Sequence, residues 1–369
     1  MRVLNFSDLH GHAFKPYSEL HADGVNSRLR DAINILGEIE ALCQQYAVDG
    51  VLCAGDLFHA RSILNVRTFN AIYEAVARVK MHVDFFGLIV GNHDQTDKEG
   101  KVYSTHTLSS VVHVMGTLGW RVVSSQGEQL NVLAVPYDSE KDYLVNQINK
   151  LAPNPQLDAP SVLLGHFGIS GGKVGANFVL VDEHEVNLAE IPHDQFDQVF
   201  LGHYHLPQKL LPNVRFLGAT HQHNWGDADQ DRGCWLWDTT PDQEFSEPTF
   251  IPLQTAPKFI QLPYDAVINA KTDLREIVDS NFTRVVCPAW LTVEQWAEAA
   301  QLVVDAGARK VEPWAETVTA NAGEVEGEFH PGMDFEDMIE QYVVNFNTAP
   351  ALDSGRLIGL GQAILKEVS

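Results

Sequence analysis

The stretch "DGVLCAGDLFHARS", from Asp49 to Ser62, decides the fold. It begins with a short run of small and branched apolar residues, which is typical of a strand that is covered on both faces of a sheet. Directly after that run the chain places Asp56, and three residues later His59. One carboxylate at a strand end has no special meaning. It gains meaning if other strands bring matching side chains to the same edge.

Other apolar runs also end in acids, amides or histidines. The polar residues that follow them are Asp8 and His10 after "RVLNF", Asn92, His93 and Asp94 after "FFGLIV", His166 after "SVLLG", and His203 and His205 after "QVFLG". Helical spacing of apolar residues runs from Leu29 to Tyr46, with Asn26 or Ser27 as its cap, and again over 66–79. This alternation predicts an α/β core whose strand ends share one edge, where such folds bind ligands.

These side chains form an ordered set of candidate metal ligands, since imidazole nitrogens and carboxylate or amide oxygens all bind divalent cations. Residues two apart on an extended strand point the same way, so Asp8 and His10, or His203 and His205, can reach one ion together. Clustered carboxylates repel one another unless a cation lies between them. Asp56 stands alone between the paired motifs and is predicted to bridge two metal ions, which in two-metal phosphoryl enzymes lie roughly 3.5–4 Å apart.

The ordered motifs resemble those of the calcineurin-like metallophosphoesterase superfamily. The longer forms "GDLFH", "GNHD" and "LGHYH" are similar, more narrowly, to motifs of SbcD-type DNA repair nucleases, which occur in bacteria and phages and work with an SbcC-like coiled-coil ATPase. The matching motifs extend from Asp8 to His205. The resemblance implies an α/β fold: a metallophosphoesterase β-sandwich flanked by helices, with a small α+β capping domain and C-terminal helices. It also implies that DNA is the substrate and that the protein can form a homodimer.

The resemblance further implies how two metal ions would be held. The ligands of the first would be Asp8, His10, Asp56 and His205, and those of the second would be Asp56, Asn92, His166 and His203. Ligation by nitrogen and oxygen, without thiolate, favours manganese, with magnesium or iron as alternatives.

Two histidines are expected to act on the substrate rather than bind metal. The resemblance gives His93 the role of stabilising or protonating the leaving oxygen, for which an imidazole without a metal is suited near neutral pH. It gives His59 a contact to the phosphate, although His59 could instead only cap the following helix.

Three more histidines lie outside this set. His12, in "DLHGH", resembles the "DxHG" of serine/threonine phosphatases, but those enzymes carry "GDxxDRG" where this chain has "GDLFHARS". We therefore expect His12 at the surface. His221 and His223 have the spacing of a chelate, but the implied metal shells are complete without them. We expect these two to be loop residues or substrate contacts.

Three regions are predicted along the chain. They are a nuclease domain at 1–256, a small α+β capping domain at 257–320, and a linker with C-terminal helices at 321–369. The capping domain should contain strands near 259, over 284–287 and over 310–318, and helices over 266–278 and 293–306. The first C-terminal helix has one apolar face, which would pack on its own domain or dock on the ATPase; it carries Phe335, Met338, Ile339, Tyr342, Val343 and Phe346.

Composition narrows the class of protein. With 369 residues, of which 45% are apolar, the chain can form a large core. A net charge of −24 disfavours nonspecific adhesion to nucleic acid or to an anionic membrane. A DNA enzyme of this charge is expected to take much of its duplex affinity from its partner. The four cysteines form no CxxC pair, and no apolar run approaches the length of a membrane span, so we expect a reduced, cytoplasmic protein without a membrane segment.

Two other functions remain open at this point. A small-molecule phosphoesterase of the same superfamily, acting on cyclic nucleotides or phosphomonoesters, would carry much the same metal ligands. A non-catalytic scaffold could keep the fold and bind a partner. The complete ligand set and His93 argue against the scaffold, and "GDLFH" with the extra C-terminal regions argues against the small substrate.

Overall fold

The computed structural model describes residues 1–315 apart from 97–100, 153–157, 176–177, 183, 271–272 and 289, and beyond them only 343, 355 and 357–359. Contacts divide the chain into two units, Met1–Ala315 and Glu316–Ser369. The predicted C-terminal helices, with their apolar face, fall almost wholly outside the described residues. The domain boundaries after 256 and 320 stay predictions.

The first unit contains three sheets and a short two-stranded ribbon. The strands are β1 (Arg2–Phe6), β2 (Gly50–Cys53), β3 (Phe85–Ile89), β4 (His113–Met115), β5 (Gly119–Ser125), β6 (Glu128–Val135), β7 (Ser161–His166), β8 (Lys173–Gly175), β9 (Phe178–Val179), β10 (Gln198–Gly202), β11 (Gln208–Leu211), β12 (Val214–Phe216), β13 (Gly233–Asp238), β14 (Thr249–Pro252), β15 (Phe259–Pro263), β16 (Phe282–Cys287) and β17 (Lys310–Ala315). The helices are α1 (Ser27–Gln45), α2 (Val66–Lys80), α3 (Lys141–Leu151), α4 (Tyr264–Ile268), α5 (Leu274–Val278) and α6 (Val293–Asp305).

Two six-stranded sheets pack face to face, as the predicted sandwich requires. Their orders are β14-β13-β1-β2-β3-β4 and β11-β12-β10-β7-β6-β5. In the first sheet β1 to β4 run parallel, and in the second β6, β7, β10 and β12 do so. Apolar side chains from both sheets form the core between them, among them Leu52 and Phe85 from one and Val132 and Phe200 from the other.

Helices cover the outer faces of this sandwich. Helices α1 and α2 pack on the first sheet through residues such as Leu36 and Ile72, and α3 packs on the second through Leu144 and Ile148. Of the helices in the described residues, none combines the length and the apolar composition of a membrane span. The layers are therefore helix, sheet, sheet, helix. The parallel strands are central in the second sheet and run from the centre to the β4 edge in the first.

The small sheet of the first unit has the order β15-β16-β17, and all three strands are parallel. The single helix predicted over 266–278 is wrong. Two short helices, α4 and α5, occupy this region, because α4 ends at Asn269 and the Asp273 side chain starts a new helix by accepting a hydrogen bond from the N–H of Arg275.

The small sheet packs on the sandwich through an aromatic cluster and an ion pair. Phe259 and Phe282 meet Tyr17 and Trp225 in one apolar cluster. Beside it, Arg309 Nη1 lies 2.9 Å from Asp31 Oδ1 on α1. Because α1 also begins close to the predicted metal ligands, this contact ties the small sheet to the part of the sandwich that carries the site.

The side chain of Asn26 caps the N-terminus of α1 and also binds the loop that precedes the helix. Asn26 Oδ1 accepts hydrogen bonds from the N–H groups of Arg28 (2.9 Å) and Leu29 (3.2 Å). Its Nδ2 donates to the carbonyl oxygen of Phe14 at 2.9 Å. The same residue therefore starts the helix and fastens the loop that precedes it.

Replacing this cap tests whether it contributes to stability. We expect Asn26→Ala to lower the free energy of unfolding by about 1 kcal/mol, the usual cost of losing an N-cap. Asn26→Asp is the matched control, since it keeps the cap acceptor and loses only the bond to Phe14. Urea unfolding of both variants measures the difference. Equal stability of Asn26→Ala and the unmodified chain would contradict the assignment.

Candidate metal centre

The predicted ligands lie together at one edge of the sandwich. Each follows the carboxyl end of a central parallel strand: Asp8 and His10 after β1, Asp56 after β2, Asn92 after β3, His166 as the last residue of β7, and His203 and His205 after β10. The ends of β1 to β3 belong to one sheet and those of β7 and β10 to the other. The site therefore spans both sheets. Its first and last candidate ligands, Asp8 and His205, are almost 200 positions apart in the sequence.

The backbone at this edge is bent into an uncommon conformation. Asp8, His10, Asp56 and His203 have φ angles of 54°, 48°, 53° and 92°, in the left-handed region that side chains other than glycine seldom adopt. Two backbone hydrogen bonds support the bend, from Asp8 N to Gly55 O (3.1 Å) and from His10 N to Asp56 O (2.9 Å). Strain of this kind persists where the surroundings fix it, and it gathers at functional sites.

The first group of ligand atoms comprises Asp8, His10 and His205, whose candidate atoms lie within 4.8 Å of one another. The Nε2 atoms of His10 and His205 are 3.2 Å apart, and His10 Nε2 lies 4.0 Å from Asp8 Oδ1. Asp8 is fully buried and His10 nearly so. A buried carboxylate facing two imidazole nitrogens is a fitting donor set for a divalent cation.

The second group gathers around Asn92. Its Oδ1 lies 3.0 Å from His166 Nε2 and 3.1 Å from His203 Nδ1. His166 is fully buried, and its Nδ1 donates to the carbonyl oxygen of Ala54 at 2.6 Å. That bond fixes the ring and leaves Nε2 directed at the other candidate ligands, as is usual for histidines that bind metals.

Asp56 lies between the two groups. Its Oδ2 is 3.7 Å from His10 Nε2 and 3.4 Å from His166 Nε2, while its Oδ1 accepts a hydrogen bond from the N–H of His93 at 2.8 Å. One carboxylate thus contacts a residue of each group and also anchors the loop after β3. The bridging role expected from the sequence stays a prediction, and Asp56 lies where that role would require it.

The ionisation of the cluster also fits a cation site. Burial lowers the pKa of His203 to about 3 and that of His59 to about 4, and it lowers the pKa of His10 as well, so these imidazoles are neutral at pH 7, the form that binds metal. Burial opposes charge on His166 too, but the carboxylates of Asp56 and Asp8 raise its pKa to about 9. His166 therefore carries a proton at pH 7 in the cation-free cluster, and a cation bound at its Nε2 would displace that proton.

His93 and His59 lie beside the ligand groups rather than within them. His93 Nδ1 donates to the carbonyl oxygen of His59 at 2.9 Å, which leaves Nε2 available for another partner. The two rings are stacked, with centroids 4.8 Å apart. His59 Nδ1 also lies 3.3 Å from His10 Nδ1. The side chain of His59 therefore contacts the site, whereas the residue that caps α2 is Asn65.

Asp94, the last residue of the "GNHD" motif, belonged to the ordered set of candidate ligands but was assigned neither to a metal ion nor to catalysis, and it lies beneath this edge of the sandwich. Its carboxylate accepts hydrogen bonds from the N–H groups of Phe58 (3.0 Å), Gly91 (3.1 Å) and Leu57 (3.4 Å). Burial and the nearby Asp56 raise its pKa to about 7. Asp94 therefore joins the loop after β2 to the loop after β3.

Two of the three remaining histidines lie closer to the site than the sequence suggested. His12 is half-buried, with its ring 5.4 Å from that of His59, so it lies partly exposed beside the site. His223 Nε2 donates to the carbonyl oxygen of Asp8 at 3.2 Å, and its Nδ1 is buried without a hydrogen-bond partner among the described residues. Its ring lies 5.0 Å from that of His10 and 4.4 Å from that of His221.

A cavity of about 540 Å³ opens directly above the cluster. Its floor is formed by ligand candidates with His59 and His93, and its wall includes Phe14, Pro16, Tyr17, Arg28 and His223. The wall residues were not recognised from the sequence, apart from His223 as a possible substrate contact. No sequence motif marks Phe14 or Arg28, because their approach to the site depends on how the loop before α1 folds.

Comparison with known proteins agrees with this arrangement. Residues 1–207 match the profile of the calcineurin-like phosphoesterase family, and this range contains every predicted ligand. A solved structure of Yfce, a phosphoesterase from E. coli, is similar at 14% sequence identity, with a TM-score of 0.29, over 64% of this chain and 88% of that one.

Proposed function

The chain belongs to the calcineurin-like phosphoesterase family, and we propose that it is a metal-dependent phosphodiesterase that cleaves DNA as the nuclease subunit of an SbcCD-like repair complex. The observation that carries the proposal is the position of Asp56, which contacts both groups of candidate ligands on the floor of an open cavity. A hydrolase of this family uses divalent metals, and the donor set fits them.

In this proposal two manganese ions would be held by the residues that the sequence identified, with magnesium or iron as alternatives. One group is Asp8, His10, Asp56 and His205, and the other is Asp56, Asn92, His166 and His203. When bound, the cations would neutralise charge on the phosphoryl oxygens and activate water. The protein's own contribution is a set of imidazoles and carboxylates, most of them buried, that the fold brings together before the cations arrive.

His93 would act as the general acid. Its Nδ1–H is already committed to the carbonyl oxygen of His59, so only Nε2 can exchange a proton with a group in the cavity. His59, stacked on His93, would place its ring against the phosphate. Neither residue needs to leave its position to reach a substrate, because both line the cavity.

DNA is proposed as the substrate because "GDLFH", at Gly55 to His59, resembles the nuclease branch. The net charge of −24 provides little nonspecific attraction for a duplex. We therefore propose that a coiled-coil ATPase supplies much of the duplex binding. We also propose that the active assembly is a homodimer and that the complex works in the cytoplasm. A small-molecule phosphoesterase remains the alternative, since the metal cluster alone does not select a substrate.

Cleavage assays separate these functions. In the presence of manganese we expect the purified chain to hydrolyse both a linear DNA duplex and bis-p-nitrophenyl phosphate. His93→Ala should lower kcat by about 10²- to 10⁴-fold, the usual contribution of a general acid, while metal content stays unchanged. His82→Ala, an exposed histidine that follows α2, is the matched control. Hydrolysis of bis-p-nitrophenyl phosphate but not of DNA would favour a small-molecule phosphoesterase. Hydrolysis of neither substrate would favour a non-catalytic binding protein.

A further inference from the structure

The wall of the cavity has a different character from its floor. The floor is made of imidazoles and carboxylates, whereas one side of the wall is formed by the rings of Phe14, Pro16 and Tyr17. The volume of about 540 Å³ falls within the ~300–1,000 Å³ of small-ligand sites. The cavity thus has room for one nucleotide-sized group beside the candidate metal ligands.

Phe14 is not used to build the core. It belongs to none of the apolar clusters formed by the described residues, and it remains half-buried. Its ring lies 4.7 Å from that of His59, so it stands next to the residue proposed to contact phosphate. The bond from Asn26 Nδ2 to its carbonyl oxygen fixes the backbone at this point. A partly exposed aromatic ring therefore lies at the edge of the site, on a backbone that Asn26 binds.

Arg28 adds a cation to the same wall. It is only 4% exposed, and its guanidinium carbon lies 5.4 Å from the centre of the Phe14 ring. Its Nη2 donates to the carbonyl oxygen of His223 at 3.2 Å, and its Nε lies 3.9 Å from Asp31 Oδ2. No hydrogen bond from Nη1 is found among the described residues. A buried guanidinium thus keeps donor capacity on a wall that it shares with the rings of Phe14 and Tyr17 and with the polar side chains of His223 and Asn224.

We propose that this wall is a base-binding subsite, where the nucleobase next to the scissile phosphate stacks on Phe14 and accepts a hydrogen bond from Arg28. The inference rests on the proposed function and specifies its substrate: an ester of a nucleotide that carries a base. Every nucleobase offers a flat face and at least one acceptor atom, so the subsite would tolerate all sequences.

The charge of the chain supports a base over a second phosphate as the occupant. Phosphate recognition uses several cations or N–H donors. This wall offers one guanidinium, which already lies near Asp31, and two polar side chains, His223 and Asn224, of which His223 already donates from Nε2 to the carbonyl oxygen of Asp8. The rest of the wall consists of the rings of Phe14, Pro16 and Tyr17. Stacking does not depend on the protein's charge. A chain with a net charge of −24 has little attraction for the sugar-phosphate backbone of DNA. It can nevertheless hold a nucleotide by stacking on the base.

Binding measurements test the subsite without requiring cleavage of DNA. Calorimetry of the manganese-loaded full chain, in a His93→Ala background to prevent turnover, would compare thymidine 5′-monophosphate with 2-deoxyribose 5-phosphate, which lacks the base. We expect the nucleotide to bind about tenfold or more tightly, as stacking on an aromatic side chain allows. Phe14→Ala should abolish that preference, and Phe14→Tyr should keep it.

Further variants exclude a merely structural effect. Phe14→Leu retains apolar volume without an aromatic ring, so it decides the question if Phe14→Ala is poorly folded. Tyr143→Ala, an exposed aromatic on α3, is the matched control and should keep the preference. Equal binding of the two ligands by the parent chain, or a preference that survives Phe14→Leu, would overturn the subsite. Absence of duplex cleavage would contradict the nuclease proposal alone, since the base preference is measured on a mononucleotide.

Discussion

Asp56→Asn is expected to lower manganese-dependent hydrolysis of bis-p-nitrophenyl phosphate by about 10³-fold or more, in line with the several kcal/mol that metal ions supply to phosphoryl transfer. The substitution keeps the shape of the side chain and an oxygen that can accept the bond from the N–H of His93. It removes the negative charge that contacts both His10 and His166. The loss should therefore come from the cation site and not from an unanchored loop.

Thermal unfolding with and without manganese gives an independent measurement of the same change. A cation that binds only the folded state raises the melting temperature, so the rise should be clear in the unmodified chain and small in Asp56→Asn. Asp49→Asn is the matched control, because Asp49 precedes β2 where Asp56 follows it, and it accepts bonds from Arg2 N and Ser125 Oγ. An Asp56→Asn protein with full activity and an undiminished rise would rule out a bridging carboxylate.

The ligand groups could be predicted from the sequence because each is a local feature. Asp56 directly follows a continuous apolar run, and parallel strands of that kind end at a common edge. The order of the motifs along the chain then identifies the family. A local pattern does not contain distances. His10 and His205 are separated by 195 positions and follow strands of different sheets, and only the packing of the two sheets brings their Nε2 atoms to 3.2 Å.

The cavity wall could not be predicted for the same reason. Phe14 lies in a loop without a motif, and its position depends on one hydrogen bond to the cap of α1. Arg28 reads as an ordinary residue of the first helical turn, and its burial follows from packing against Phe259 and Phe282 of the small sheet. Asp94 was visible in a motif, but its three backbone partners come from two loops, which only the fold joins.

The strained backbone at the candidate ligands lowers the stability of the folded chain. Left-handed conformations at Asp8, His10, Asp56 and His203, together with two fully or nearly buried carboxylates, all oppose folding of the cation-free chain. The extensive apolar core between and outside the sheets offsets this cost. Cation binding then relieves the repulsion between the carboxylates. The site is thus held by the fold rather than assembled by its metal.

Gly91→Ala is expected to be nearly as damaging as the loss of Asp56, although it adds only one methyl group. A Cβ atom at Gly91 would lie 2.1 Å from Asp56 Oδ1 and 2.5 Å from Asp56 N, far inside the contact distance of these atoms. Either the Asp56 carboxylate or the loop after β3 must move. We expect a loss of activity of about 10²-fold, as misplacement by about 1 Å can produce, and a loss of stability of about 1–3 kcal/mol.

Gly37→Ala makes the same chemical change where nothing lies within 4 Å of the new methyl group. Because Gly37 is in the interior of α1, alanine there should raise stability by roughly 0.5–1 kcal/mol and leave activity unchanged. Urea unfolding and ester hydrolysis, measured on both variants, therefore separate a general effect of alanine from a steric effect on Asp56. If Gly91→Ala retained full manganese-dependent activity, the packing of Asp56 against the loop after β3 would not be needed for that activity.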